Sequence, residues 1–300
     1  MRVHILGSGS DGNAIVLEGP QQSIIVDAGF GIRELARRMK LVDVAPESVS
    51  ALIVTHEHAD HVRGASASAR RWSWPVYATA GTLKTGDRHQ AARATRERMS
   101  DTGSGMAESG MPISMSIEPS AKGVKKKKIV KHVVASNSDA IIGDFSVRFI
   151  KAPHDAREPI ALVATLRSTG QRVGIAYDVG HLSERFIKSF ANCDMLLLES
   201  NHDAQLLRTG PYPWSVKQRV AGPNGHLSNA ECALMARECV HRGLRHVVLC
   251  HLSQVNNRPE IALRAMRASL RGAGFRGTLQ AAPQHSTITL GGAAQMELAL

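Results

Sequence analysis

The chain has 300 residues, is 43% hydrophobic and 4% aromatic, and carries 37 basic against 26 acidic side chains. That length allows one large domain or two small ones around a mostly aliphatic core. No run of about 18 apolar residues occurs, which argues against a transmembrane helix. The net charge of +11 favours polyanionic partners.

Residues 1–7 lead directly into a strand-and-turn pattern and lack the apolar stretch of a signal peptide. Residues 3–6 read as a strand ending in the turn-rich cluster 7–13, and 14–17 and 23–26 as further strands. Ile32, Leu35, Ala36 and Met39 have helical spacing. Residues 51–54 form a buried strand that stops at a polar loop. The stretch at about 84–140 breaks the pattern, being rich in Ser, Gly, Met and charge. Between Lys84 and Lys131 it holds eleven basic and five acidic residues, including Lys125, Lys126, Lys127 and Lys128. It reads as a partly disordered insertion, either a solvated loop or an arm that grips phosphates.

Regular structure resumes with Phe145, Val147 and Phe149 alternating as in a half-buried strand. Residues 160–166, 173–177, 195–198 and 247–250 read as strands, and 230–240 and 259–270 as helices. Ser228 or Asn229, with Glu231 nearby, caps the first of these helices. Strands mixed with helices throughout predict an α/β protein in layers. Cys193, Cys232, Cys239 and Cys250 form no C-x-x-C pair, which points to a reduced, cytoplasmic protein.

Residues 55–61, Thr-His-Glu-His-Ala-Asp-His, gather His56, His58, Asp60 and His61 directly after an apolar strand. A surface loop has no packing reason to collect these side chains, whereas imidazole and carboxylate suit zinc, manganese or iron. The helical His-Glu-x-x-His of zinc proteases is absent, because Asp60 stands four after His56. Glu57 therefore has no assigned role. On a strand-to-loop segment His56 and His58 share a side, while Asp60 and His61 lie past the turn and can face a second ion. Such a pair of ions characterises binuclear hydrolases.

The same grammar recurs downstream: an apolar strand, then a metal-competent residue at its end. His154 with Asp155, Asp178, Glu199 with His202, and His251 all follow such runs. Four strands with polar residues at the same kind of end predict a common edge where they converge.

These segments resemble the metallo-β-lactamase superfamily, and within it the YycJ/WalJ branch. The resemblance is carried by 7–13, 26–29, 55–61, His154-Asp155-Ala156 with Glu158-Pro159, 199–203, 212–215, 225–229, and 251–254 with Asn256-Asn257. It implies an αββα four-layer sandwich, a single metallo-hydrolase domain over 1–300, and two divalent ions at the open edge of the sheets. His56, His58 and His154 would hold the first ion, and Asp60, His61 and His251 the second. Asp178 would bridge both. Asp60 would thereby also be catalytic. By similarity to ribonuclease Z relatives, His226 would pair with Glu199 and protonate the leaving oxygen. The alternative for His226 is a plain helix cap. Asp27 would either orient a ligand or shape a turn. Ser10, Asn13 and His202 are substrate-contact candidates, with turn or loop packing as the other use. Tyr212, Pro213 and Trp214 either stack a base or pack a turn.

The branch resembles a 5′-to-3′ exonuclease on double-stranded DNA with a role in repair, and the basic balance favours a nucleic acid, DNA before RNA. The competing expectations are a ribonuclease and a small-molecule hydrolase for a cyclic phosphodiester, lactone or thioester. No membrane partner is expected.

Overall fold

Strands buried on both faces read as unbroken apolar runs rather than alternating ones. The computed structural model, which describes residues 1–85 and 127–291, accounts for such runs here. Seven strands form a first sheet: β1 (Arg2–Gly7), β2 (Ala14–Glu18), β3 (Ser23–Val26), β4 (Val49–Ile53), β5 (Val76–Thr79), β6 (Lys131–Val134) and β14 (Ile288–Leu290). The second sheet takes β7 (Asp139–Ile142), β8 (Phe145–Lys151), β9 (Ile160–Leu166), β10 (Arg172–Ala176), β11 (Met195–Glu199), β12 (His246–Cys250) and β13 (Thr278–Ala281). Their orders are β14-β1-β2-β3-β4-β5-β6 and β13-β12-β11-β10-β9-β8-β7.

Ile15 and Leu17 of β2 and Ala51 and Ile53 of β4 point between the sheets, against Phe149, Leu162, Ile175 and Leu197. The intervening Val16 and Leu52 point outward, into a second cluster with Leu35 and Met39 of α1 (Ile32–Leu41) and Ala69 of α3 (Ala65–Trp72). On the other flank, Leu196 and Leu198 meet the helices Asn229–Glu238 and Pro259–Gly272. The result is the expected αββα sandwich. In β8 the inward Phe145, Val147 and Phe149 alternate with Ser146 and Arg148, which are not buried.

The helix Asn229–Glu238 is capped by Ser228, whose side chain accepts from Glu231 N while Glu231 Oε2 accepts from Ser228 N at 2.8 Å. Short elements escaped the sequence pattern: β5, β13, β14, α2 (Ala59–Val62) and α3, and the helices Glu184–Ser189, Ala204–Thr209 and Trp214–Val220. None exceeds eight residues, so an apolar pattern has little length in which to repeat.

The basic stretch expected at 84–140 ends earlier than its composition suggests. β6 lies within it and β7 begins at its end, each at the edge of its sheet. Three of the four β6 residues are exposed, so an edge strand here carries no apolar signature. Residues 86–126 of that expectation, with Lys122, Lys125 and Lys126, lie outside the described residues. β5 and β6 are parallel neighbours. No helix among the described residues is long and apolar enough to cross a membrane. All four cysteines are buried and unpaired, and burial pushes the Cys193 and Cys250 thiols up to about 12.

Phe149 is fully buried between the sheets. Phe149→Ala should lower the unfolding free energy by about 3–5 kcal/mol, read as an earlier denaturant midpoint.

Candidate metal centre

β10, β11 and β12 are mutually parallel, and β8 and β10 both run antiparallel to β9 between them. Their ends therefore deliver His154, Asp178, Glu199 and His251 to one side of the sandwich, as the repeated strand-end pattern predicts. β4 brings the histidine loop to the same edge, where His61 Nε2 lies 2.9 Å from Asp178 Oδ2. The chain turns sharply after β3, β10 and β12, where Asp27, Asp178 and His251 have φ of +60°, +57° and +53°. Left-handed backbone at such residues costs about 1–3 kcal/mol each and persists because their side chains are fixed by the contacts below.

Two donor groups form. His56, His58 and His154 offer three nitrogens within 4.8 Å of one another, and Asp60, His61 and His251 offer a carboxylate oxygen and two nitrogens equally close. Asp178 stands between them, with Oδ2 beside His61 and Oδ1 3.8 Å from His154 Nε2. The seven residues proposed as ligands from sequence are thus brought together.

Four of the five rings have one nitrogen held from outside, leaving the other for the centre. His61 Nδ1 donates to Asp27 Oδ2 at 2.7 Å, and His154 Nδ1 to Gly225 O at 2.9 Å. His251 Nδ1 lies 3.1 Å from Glu199 Oε1. His56 Nδ1 donates to Thr55 Oγ1 at 3.1 Å, and that hydroxyl donates to Asp27 Oδ2 at 2.8 Å. His58 is the exception: its Nδ1 faces His154 Nε2 at 3.3 Å, and its Nε2 is 3.9 Å from Asp155 Oδ1.

The residues fit divalent ions. His56 Nε2 and Asp178 Oδ2 are buried without a hydrogen-bond partner among the described residues. Asp178 Oδ2 is near His61 Nε2 in distance but is not aligned for a hydrogen bond. A buried polar atom left so costs about 1–3 kcal/mol, and coordination to a cation removes that cost. Outer partners that fix imidazole orientation are the usual support of such a ligand. Asp178, Glu199, His226 and His251 also approach one another. There, however, the rings use Nδ1 to reach Glu199 Oε1, His226 at 2.7 Å and His251 at 3.1 Å, which is a hydrogen-bonded network.

Charge follows from these contacts. Burial opposes a proton on His61, but Asp178, Asp27 and Asp60 outweigh it and raise its pKa well above the usual value. Burial and neighbouring imidazoles drive His56 far the other way. Burial opposes ionisation of Asp60, yet His61 and His251 hold its carboxyl well below the ordinary range.

The remaining candidates fall in different places. Ser10 is exposed on the glycine-rich turn. Asn13, expected to touch substrate, is buried and committed elsewhere: Nδ2 donates to Asp60 Oδ2 at 3.2 Å and to Gly9 O at 3.1 Å, while Oδ1 accepts from Gly9 N at 2.9 Å. Gly29 makes that packing possible, since a Cβ there would sit 1.7 Å from Asp60 O. His202 is buried, pairs with Ser228 through the backbone, and has a pKa lowered by burial. His226 and Glu199 pair as expected; burial opposes a proton on His226, and Glu199 outweighs it and raises the pKa.

Sequence reasoning missed four supports. Tyr177 donates to Asp27 Oδ2 at 2.7 Å, and Thr55 N donates to Asp27 Oδ1 at 2.8 Å. Ser8 Oγ accepts from His251 N at 2.9 Å. Glu57 Oε1 accepts from Arg157 N at 2.8 Å, pinning the loop beyond His154. Adjacency to the motif residues was the available signal for Tyr177, Thr55 and Glu57.

The family model of the metallo-beta-lactamase superfamily matches residues 7–159. The chain is 28% identical over 271 residues to exodeoxyribonuclease YycJ of Bacillus anthracis, covering 90% of this chain and 89% of that protein. It is 27% identical over 284 residues to ribonuclease Z of Streptomyces coelicolor, with the same coverage, 90% and 89%. Among solved structures, zinc-bound PqqB from Methylobacterium extorquens superposes with a TM-score of 0.61 at 17% identity, covering 97% of this chain and 100% of that one. That last likeness shows the fold.

Asp27→Asn should weaken divalent-metal affinity about 10- to 100-fold, read by competition with a chelator. Unchanged affinity would mean that His56 and His61 do not depend on Asp27 for their orientation.

Proposed function

The chain belongs to the metallo-beta-lactamase superfamily and is a metal-dependent hydrolase, and from that premise we propose that it is a binuclear phosphodiesterase degrading double-stranded DNA from the 5′ end. The observation that carries this reading is the pair of donor groups with Asp178 between them and the Glu199–His226 pair alongside. Similarity to exodeoxyribonucleases YycJ and WalJ over most of the chain supports the polymer. The net charge of +11 favours the same polyanion. A role in DNA repair accords with that activity. On this reading the whole chain is one catalytic domain with a basic insertion.

In the first group His56, His58 and His154 would hold one ion; in the second Asp60, His61 and His251 would hold the other, with Asp178 serving both. Zinc or manganese suits these donors, and iron is also compatible. Bound divalent ions supply an activated water and stabilise charge on the phosphoryl oxygens. This chain's own residues do the rest. Glu199, held at about 2 chiefly because His226 and His251 outweigh its burial, stays ionised and orients His226 through Nδ1. The Nε2 of His226 is then the atom that would deliver a proton to the leaving oxygen. Ser10, on the exposed turn, would meet substrate, and the buried His202 would take its part from beside Ser228.

Ribonuclease activity is the second reading, favoured by the similarity to ribonuclease Z. Metal analysis of the purified protein, followed by a time course on 5′- and 3′-labelled duplex DNA with RNA alongside, separates the two. We expect two metal equivalents and mononucleotides released from the 5′ end. Cleavage of RNA with DNA left intact would transfer the assignment to the ribonuclease. Turnover of bis-p-nitrophenyl phosphate with neither polymer cut would favour a small-molecule hydrolase.

Two outcomes bear on the residues. Asp178→Ala should lose both metal and activity. His226→Ala should keep its metal and lose about 10²- to 10⁴-fold in kcat. On long duplex DNA kcat/KM should also fall steeply with salt, because phosphate contacts release counterions.

A further inference from the structure

Trp214 is 69% exposed, the most exposed large apolar side chain among the described residues. Of the other two tryptophans, Trp74 is 1% exposed, and Trp72 packs on it with ring centroids 4.7 Å apart. Trp214 opens the helix Trp214–Val220 after Pro213, and the buried residue of that helix is Val220 at its far end. Turn packing therefore does not account for the indole.

The helix is fastened to the rim of the candidate centre. Val220 O accepts from His226 N at 2.9 Å, and His154 Nδ1 donates to Gly225 O at 2.9 Å. Arg219 reaches Asp155 at 3.2 Å, and Asp155 lies 3.2 Å from His154 Nε2. From Val220 back to Trp214 the helix rises about 9 Å, a span of roughly two to three nucleotides along one strand. Between residues 204 and 220 the chain carries Arg208, Lys217 and Arg219 and no acidic residue. Lys217 Nζ gives one of its hydrogens to Arg208 O at 2.8 Å, which holds the ammonium between the two short helices.

An exposed indole on a helix that also carries Lys217 and Arg219, one helix away from a proton donor, has the chemistry of a stacking platform for a nucleobase. Bases inside a duplex are already stacked on both faces. A terminal pair frees one face, whereas an unpaired terminal base can turn its ring fully onto an indole set to one side of the duplex. We propose that Trp214 stacks an unpaired base at the end of the nucleic acid while Lys217 and Arg219 hold adjacent phosphates, so that the platform draws a frayed or overhanging strand into the centre. This rests on the nuclease reading above and specifies which end of the substrate the site accepts.

The test uses the intact, metal-loaded protein and phosphorothioate oligonucleotides that resist cleavage. Tryptophan emission is followed during titration with a duplex carrying a short single-stranded 5′ extension and with its blunt counterpart. We expect quenching by the extended duplex, weaker quenching by the blunt one, and its loss in Trp214→Leu. On cleavable substrate, Trp214→Leu should lower kcat/KM for the extended duplex roughly 5- to 150-fold, Trp214→Phe should recover most of it, and turnover of bis-p-nitrophenyl phosphate should stay unchanged.

Equal quenching by blunt and extended duplexes would overturn the unpaired-base assignment. Equal affinity of Trp214→Leu and the unchanged protein would overturn the platform. A parallel fall in bis-p-nitrophenyl phosphate turnover would assign Trp214 a structural role instead. Because quenching reads binding, it judges the platform even if no polymer is cleaved, so failure of the nuclease reading is seen separately.

Discussion

One buried carboxylate organises the centre. Asp27 lies just past β3, fully buried, in left-handed backbone. Its Oδ2 accepts from His61, from Tyr177 and from Thr55, at 2.7, 2.7 and 2.8 Å. Through the Thr55 hydroxyl it also fixes His56 Nδ1. His56 and His61 belong to different donor groups, and Tyr177 immediately precedes Asp178, the residue between those groups. The relative placement of all three therefore depends on a single anion that points away from the centre. A neutral acceptor would leave the same geometry held by weaker bonds, since hydrogen bonds to an ionised partner are roughly twice as strong.

The sandwich makes such a node possible. β10, β11 and β12, which lead to Asp178, Glu199 and His251, are buried on two faces along nearly their whole length, and β8, which leads to His154, buries mainly its inner face. Where pairing stops, left-handed turns at Asp27, Asp178 and His251 swing side chains across the open edge. The core between the sheets stabilises the fold, and the sheet edge bears the strain. Concentrating strained backbone where function sits is common in proteins whose surroundings over-determine it. Here those surroundings are visible: Asp178 is followed by Val179, whose N–H donates to Glu199, and the His251 N–H donates to Ser8.

Much of this was legible in the chain. Apolar runs such as 195–198 had to be buried on both faces, and a polar residue at the end of each such run had to be at the sheet edge. His154, Asp178, Glu199 and His251 could therefore be grouped before any coordinate was known. β6 and β7 were not legible, because an edge strand faces solvent and its sequence, Lys131-His132-Val133-Val134, looks like a loop. The posts of Asn13 and Glu57 were hidden for a different reason. Both side chains satisfy partners far along the chain, Asp60 and Arg157, and no local pattern encodes a contact across 47 or 100 residues. Trp214 stayed open between packing a turn and stacking a base, because a lone aromatic serves either use and exposure is a tertiary fact.

Glu199 shows how a single side chain can tie two different tasks together. Its Oε2 accepts from Val179 N and Leu227 N at 2.9 and 3.1 Å, which spends that oxygen on backbone and fixes the carboxylate plane. The other oxygen, Oε1, faces both His226 and His251. One of these rings is a proposed ligand, which must stay neutral at the nitrogen aimed inward. The other is a proposed proton donor, which must carry a proton at its outer nitrogen. A carboxylate that accepts from Nδ1 of both rings sets the same tautomer in each, leaving Nε2 to differ. In His251 Nε2 lies 3.3 Å from Asp60 in the donor group. In His226 the ring remains 20% exposed, at the mouth. The distinction between ligand and acid then arises from position alone: the buried ring meets other donors, and the half-open ring meets whatever enters.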